Sequence, residues 1–195
     1  MSPKGVTNSI GRAAVRMNVD LMALISKRIH WDDTWPLKSL HQPDEFREWG
    51  DLPFHLSTFD HSLTEEELTA TEAPMAVPFL FYGEAREKGL LQDYLPGEAR
   101  FEAFYSELSR GGAWIDLYSR KPTFLPGSSR RLARLIKDSL RERRLMDVTF
   151  EALPVRVLGG HDRTDLLLPA TKAIRSELQS MAVRHGLFVL PYRAR

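Results

Sequence analysis

Cysteine is absent from the 195-residue chain. This absence excludes a disulfide framework, Cys-ligated zinc, iron–sulfur clusters and thiol nucleophiles. Long hydrophobic runs are absent too, since no stretch of about 18 apolar residues exists to form a membrane-spanning helix. The first apolar stretch, 13–29, is interrupted by charged residues, unlike the core of a secretion signal. We therefore expect a soluble, cytoplasmic protein that does not contact a membrane.

Signature motifs of familiar enzymes and cofactor sites are also missing. The sequence contains no Walker loop, no dinucleotide-binding glycine pattern, no G-x-S-x-G elbow, no kinase signature and no H-E-x-x-H zinc motif. The patterns of RNP, KH and zinc-finger nucleic-acid binders do not occur either. These absences predict that the protein holds no metal or cofactor, and they favour a binding protein over an enzyme.

Apolar residues make up 43% of the chain and charged residues 27%, as in an average globular protein. Apolar side chains recur at helical spacing in four segments, 9–29, 98–110, 128–146 and 170–185. Short apolar or alternating segments that are typical of strands lie at 77–82, 113–118, 148–158, 166–168 and 187–191. The interval 119–127 is predicted to be a loop.

Because these strands and helices do not follow a regular βαβ rhythm, the sequence predicts one α+β domain over 1–195. Residues 1–53 would hold a helix and an irregular connection rich in Pro and Trp, and residues 54–195 would hold the main sheet. We expect a mixed or antiparallel sheet with about four helices packed mainly on one face. The last strand could pair in parallel with the strand at 164–168 through a right-handed crossover.

Charge is distributed unevenly along the chain. Residues 41–110, here called the acidic segment, hold five Lys or Arg and fifteen Asp or Glu, whereas residues 111–195, the basic segment, hold sixteen and eight. One explanation is that the two segments pack together and neutralise each other. The other is that each segment serves a different partner, because an exposed basic face attracts nucleic acid or an acidic protein.

The third predicted helix carries a row of cations opposite its apolar arc. This cationic row, spaced i, i+4, i+7, i+11 and i+14, consists of Arg130, Arg134, Lys137, Arg141 and Arg144. Like-charged neighbours on a helix repel each other by roughly 0.2–0.5 kcal/mol per pair. The row is either an ordinary solvated face, neutralised by the acidic segment, or a surface that contacts phosphates or carboxylates of a partner. Arginine suits bidentate contacts with both.

The densest polar cluster follows two glycines and consists of His161, Asp162, Arg163 and Asp165. The glycines predict a hairpin turn, in which Asp165 would pair with Arg163 or Arg156. Alternatively, the cluster is a loop site in which His161 and Asp165 carry out acid–base chemistry or bind a partner.

His55-Leu56-Ser57 resembles one half of the paired His-x-Ser/Thr motif of two-histidine phosphoesterases, in which one imidazole acts as base and the other as acid. The second half is absent, because the run from His161 to Thr164 misses the spacing by one residue. A hydrolase or phosphoesterase that uses His55 or His161 therefore stays an alternative hypothesis.

The main prediction is a non-enzymatic protein that binds another macromolecule, as an immunity, assembly or adaptor component would. The cationic row and the acidic segment would supply its contacts, and its partner would be an acidic protein surface or nucleic acid. The second hypothesis is a nucleic-acid-binding subunit whose cationic row contacts phosphates.

Overall fold

The computed structural model describes residues 51–64, 81–115, 123–160 and 163–192. The helix predicted over 9–29 lies outside these residues, as do His161 and Asp162 of the polar cluster.

Seven strands form one sheet in the described part of the chain, and every neighbouring pair is antiparallel. In chain order they are β1 Phe54–Ser57, β2 Ala113–Ile115, β3 Thr123–Leu125, β4 Asp147–Phe150, β5 Val155–Leu158, β6 Thr164–Pro169 and β7 Phe188–Pro191. Their order across the sheet is β3-β2-β4-β5-β6-β1-β7. The predicted α+β fold is confirmed, and of the two sheet types expected the antiparallel one is found.

The described residues form four α-helices, α1 Tyr82–Glu87, α2 Leu91–Leu108, α3 Arg130–Leu140 and α4 Lys172–Arg184. A short 3₁₀ turn, Ser109–Gly111, continues from the end of α2. The start of α4 is capped, because the Thr171 hydroxyl accepts a hydrogen bond of 3.2 Å from the Ile174 N–H. Its end is followed by Gly186, whose φ of 67° is a conformation that favours glycine.

One face of the sheet carries the apolar core. Phe54 on β1, Leu167 on β6 and Val157 on β5 lie in one cross-strand row, and all three are fully buried. They belong to a cluster of buried apolar side chains that also includes, from α2, α3 and α4, the residues Phe101, Phe104, Leu132, Leu135, Leu178 and Met181. These three helices therefore bury apolar side chains against the same set of strand residues.

The opposite face of the sheet contains buried polar groups. Arg156 on β5 is 1% exposed, and its guanidinium donates two hydrogen bonds of 2.7 Å to the carboxylate of Asp147 on β4. Such a bidentate pair compensates the burial of both charges. The expected pairing of Arg156 with Asp165 is wrong, because the strand register places the two side chains on opposite faces of the sheet.

Three predictions about the sheet are corrected. The segment 148–158 is the hairpin β4–β5 rather than one bent strand, since the turn at 151–154 separates its halves. The predicted loop at 119–127 contains β3, which was missed because it is only three residues long. The final strand, β7, pairs antiparallel with β1 instead of parallel to β6, because β1 lies between them.

Helix boundaries also differ from the prediction. Tyr82, expected at the end of a strand, is the first residue of α1. Helix α2 begins at Leu91, well before its predicted start, and contains Pro96 at the cost of one backbone hydrogen bond. Helix α3 ends at Leu140, earlier than predicted, because Glu142 has a φ of 56°, outside the range of an α-helix.

Candidate functional site

The cationic row does not follow one continuous helix. Arg130, Arg134 and Lys137 lie on α3, Arg141 directly follows its last residue, and Arg144 lies in the turn beyond. The prediction that all five cations share one helix face is therefore wrong for Arg144.

Glu98 on α2 holds Arg141 inside the fold. The Glu98 side chain is 3% exposed, and its carboxylate accepts two hydrogen bonds of 2.7 Å from the Arg141 guanidinium. The same guanidinium lies 4.4 Å from the ring centroid of Tyr82, close enough for a cation–π contact. The hydrogen bonds to Glu98 raise the pKa of Arg141 above its usual value. Arg141 is thus a structural cation.

Lys137 is also paired with the acidic segment. Its Nζ atom lies 2.8 Å from the carboxylate of Glu102 and 3.9 Å from that of Glu98. The hypothesis that the cationic row points outward, without a carboxylate partner from this chain, is therefore wrong for Lys137 and Arg141. The alternative interpretation of the row, neutralisation by the acidic segment, is correct for these two residues.

Further contacts join the acidic and basic segments. Glu107 on α2 accepts hydrogen bonds of 2.8 Å from His185 and from Arg184, and these bonds lower the pKa of Glu107. Asp51 lies 3.8 Å from the Nζ atom of Lys172. These contacts support the explanation that the two segments neutralise each other within the fold.

Four members of the cationic row are exposed, Arg130, Arg134, Lys137 and Arg144, and of these Arg130 and Arg134 lie nearest the start of α3. The Arg134 side chain is 84% exposed, and its carboxylate partner Asp138, one turn along the same helix, lies 3.5 Å away. Arg130 is exposed and forms no ion pair with another described residue. Because exposed ion pairs contribute at most about 1 kcal/mol, the contact with Asp138 leaves Arg134 able to bind an external anion.

Helices α3 and α4 begin at the same end of the sheet. A cross-strand row runs from Leu125, the last residue of β3, through Ala113, Phe150 and Val155 to Pro169, the last residue of β6. Helix α3 starts shortly after the first of these residues and α4 shortly after the last. Since neighbouring strands lie about 4.8 Å apart, the two ends of this row are about 19 Å apart.

Exposed cations collect at this end of the sheet, here called the basic end. Among the described residues they are Arg110, Arg130, Arg131, Arg134 and Lys172. The carboxylates of Asp51, which precedes β1, and Glu151, in the β4–β5 turn, lie at the same end. The described part of the basic end therefore carries more cations than carboxylates.

The starts of α3 and α4 lack the usual compensation of their helix dipoles. Neither helix has an acidic residue in its first turn. Carboxylates stabilise the positive end of a helix dipole, whereas cations there are unfavourable, so the local sequence favours an external anion. Sequence reasoning found Arg130 and Arg134 but missed Arg110 and Lys172, because only the strand register brings them to one end. The missing acidic residues were the signal that could have found this end.

The described residues of the polar cluster contact different neighbours. Arg163 has a φ of 57°, its guanidinium lies 4.9 Å from the ring centroid of Tyr94, and it donates a hydrogen bond of 3.4 Å to the Tyr94 carbonyl. Asp165 is 3% exposed and accepts hydrogen bonds from the Tyr105 hydroxyl and, at 3.0 Å, from the Gly160 N–H. The expected ion pair between Asp165 and Arg163 is therefore wrong.

His55 lies on β1, on the face of the sheet opposite the apolar core. Its buried Nδ1 has no hydrogen-bond partner, and burial lowers the pKa of His55. The Ser57 hydroxyl accepts hydrogen bonds from the Phe59 N–H at 3.0 Å and the Thr164 hydroxyl at 3.3 Å. No hydrogen bond between these described residues joins His55 to Ser57. They do not form the paired nucleophile and base that covalent hydrolysis requires.

The described residues contain no group of three or more side chains placed to hold a metal ion. None of the helices that they form is long and apolar enough to cross a membrane. Comparison with known protein families, curated proteins and solved structures finds no match for this chain.

Proposed function

We propose that the protein is a non-enzymatic binding protein whose basic end recognises an acidic surface of a partner protein. The observation that carries the proposal is the exposure of Arg130 and Arg134 beside a helix start that has no carboxylate in its first turn. Exposed cations of this kind attract an oppositely charged partner and accelerate its association. An immunity, assembly or adaptor component would act in this way.

The close spacing of Arg130 and Arg134 favours an acidic protein over nucleic acid as their partner. Arg130 and Arg134 are one helical turn apart, about 6 Å along the axis, so they reach one or two phosphates. Affinity for nucleic acid grows with the number of phosphates neutralised, and Lys137 and Arg141 are already engaged by the acidic segment. A protein interface can depend on a few arginine anchors.

Fluorescence anisotropy with a labelled poly-glutamate peptide tests the proposal directly. The wild-type protein is expected to bind the peptide at low ionic strength and to lose affinity as salt is added. The double substitution Arg130→Gln with Arg134→Gln should weaken binding about tenfold, because each exposed charged contact contributes about 0.7 kcal/mol.

A matched control changes the same number of exposed cations elsewhere. Arg86→Gln with Lys88→Gln, at the end of α1, should leave the affinity unchanged. Equal losses from the two double variants would show non-specific attraction and would contradict the proposal, as would the absence of peptide binding to the wild type. Tighter binding to duplex DNA than to poly-glutamate at equal ionic strength would overturn the choice of a protein partner.

A further inference from the structure

Asp165 is a buried carboxyl group without a cation. It lies on the core-facing side of β6, opposite Leu56 of β1, and is 3% exposed. Its two oxygens accept hydrogen bonds from the Tyr105 hydroxyl and the Gly160 N–H. No described cation contacts it. A carboxylate in such a place keeps its hydrogen bonds, but its charge has lost the stabilisation that water provides.

Tyr105 fixes one side of this contact. Its ring is fully buried on α2 and stacks against Phe101 at 6.1 Å and Phe150 at 6.0 Å, measured between ring centroids. Burial, together with the neighbouring Asp165, raises the pKa of Tyr105 well above its usual value. The phenol therefore keeps its proton at neutral pH and stays available as a hydrogen-bond donor.

The other side of the contact is the described part of the connection between β5 and β6, Gly159, Gly160 and Arg163, here called the β5–β6 turn. A side chain at Gly160 would place its Cβ 1.9 Å from the Thr164 carbonyl oxygen, so this position requires glycine. The turn is attached to α2 at a second point, because the Arg163 guanidinium occupies the space that a Cβ on Gly97 would fill. Asp165 and Arg163 thus connect the turn to the same helix.

We propose that Asp165 makes the attachment of the β5–β6 turn to α2 sensitive to pH. When the carboxyl group is neutral, no charge is buried, and its oxygens can still accept the hydrogen bonds from the Tyr105 hydroxyl and the Gly160 N–H. When it is ionised, the same contacts hold a charge in an apolar core, and opening of the turn relieves that charge by admitting water.

Burial raises the pKa of Asp165 from 3.8 to about 6, while its bonds to Tyr105 and Gly160 oppose the rise. Tyr105 is the titratable group that faces it from α2, and the β1 neighbour Leu56 is apolar. The nearby charge of Arg163 is directed to Tyr94. Because the pKa of Asp165 is higher in the folded protein than in the open turn, the protonated carboxyl stabilises the closed turn. This stabilisation of the turn is complete below pH 3.8 and is lost as pH rises through 6.

Amide hydrogen exchange of residues 157–160, corrected for the intrinsic effect of pH, tests the proposal. Protection in the wild type should fall about tenfold between pH 5 and pH 8. This is the change expected for a carboxyl group whose pKa is about 6 in the closed turn and 3.8 in the open one. Asp165→Asn should remove this dependence on pH, whereas Asp93→Asn, at an exposed site in the first turn of α2, should keep it. Protection that is constant or rises with pH in the wild type would overturn the proposal.

Titration of the Asp165 carboxyl carbon by NMR in the wild-type protein keeps the proposal testable if Asp165→Asn does not fold. The expected midpoint is about 6, as burial requires. A midpoint at the ordinary value of 3.8 would overturn the proposal.

Discussion

Replacement of Glu98 by glutamine tests the ion pair that joins the acidic segment to the end of α3. Glutamine has nearly the same shape but no charge, and its amide NH₂ group would face the Arg141 guanidinium, which is itself only a donor. One of the two hydrogen bonds of 2.7 Å would be lost, and Arg141, whose side chain is 16% exposed, would keep a charge without its counterion.

Removal of one partner from a buried ion pair typically costs about 3–5 kcal/mol. Two features place Glu98→Gln near the lower limit, at about 3 kcal/mol. The glutamine oxygen can still accept one hydrogen bond from Arg141, and the cation–π contact of Arg141 with Tyr82 is unchanged. Arg141→Met in addition should cost less than the sum of the single losses, because the glutamine then no longer faces a buried cation.

Urea unfolding followed by circular dichroism measures these differences in the free energy of unfolding. Glu87→Gln is the matched control, since Glu87 is exposed on α1, and a surface substitution of this kind changes stability by less than about 0.5 kcal/mol. Equal stability of the Glu98→Gln and Glu87→Gln variants would show that the fold does not depend on this pair.

Two further substitutions test the packing around α2. Gly97→Ala should lower the free energy of unfolding by about 1–2 kcal/mol, because the new Cβ would lie 1.2 Å from Nη2 of Arg163. Gly83→Ala is the control and should be neutral or stabilising, since its Cβ would have no atom within 4 Å. Equal effects of the two substitutions in thermal unfolding would contradict this prediction. Tyr94→Phe should cost about 1–2 kcal/mol in the same assay, since it removes the 2.6 Å hydrogen bond to the buried Leu140 carbonyl, and an unchanged stability would show that this bond contributes nothing.

The elements predicted best from sequence are those whose signals are local. Helix α4 follows from an N-cap residue, Thr171, a periodic apolar face and a terminal glycine, Gly186, all within one continuous segment. The β5–β6 hairpin follows from its glycines and the apolar run after them. Such signals do not depend on the rest of the fold, so they can be read from the chain alone.

The elements that were missed depend on distant contacts. Strand β1 has only four residues, and its pairing with β6 and β7 joins segments far apart in the sequence. The end of α3 is set by the left-handed conformation of Glu142 and by the Tyr94 hydroxyl, which donates to the Leu140 carbonyl. Helical periodicity continues past this point in the sequence, so it predicted a longer helix.

The candidate site was predictable only in part for the same reason. Periodicity identified Arg130 and Arg134 as neighbours on one helix face, and the structure places both on α3. Whether a cation of the row is engaged depends on which carboxylate packs beside it, and Glu98 belongs to another helix, 43 residues from Arg141. The basic end itself arises from the strand register, which composition does not reveal.

We propose that the fold neutralises Lys137 and Arg141 and leaves Arg130 and Arg134 to bind an acidic partner. Arginine side-chain Nε–Hε signals, followed by NMR during titration with poly-glutamate, test it at the level of single residues. The signals of Arg130 and Arg134 are expected to shift with added peptide, while that of Arg141 stays in place because Glu98 already holds it. Shifts confined to Arg141, or no shift at Arg130 and Arg134, would contradict the claim.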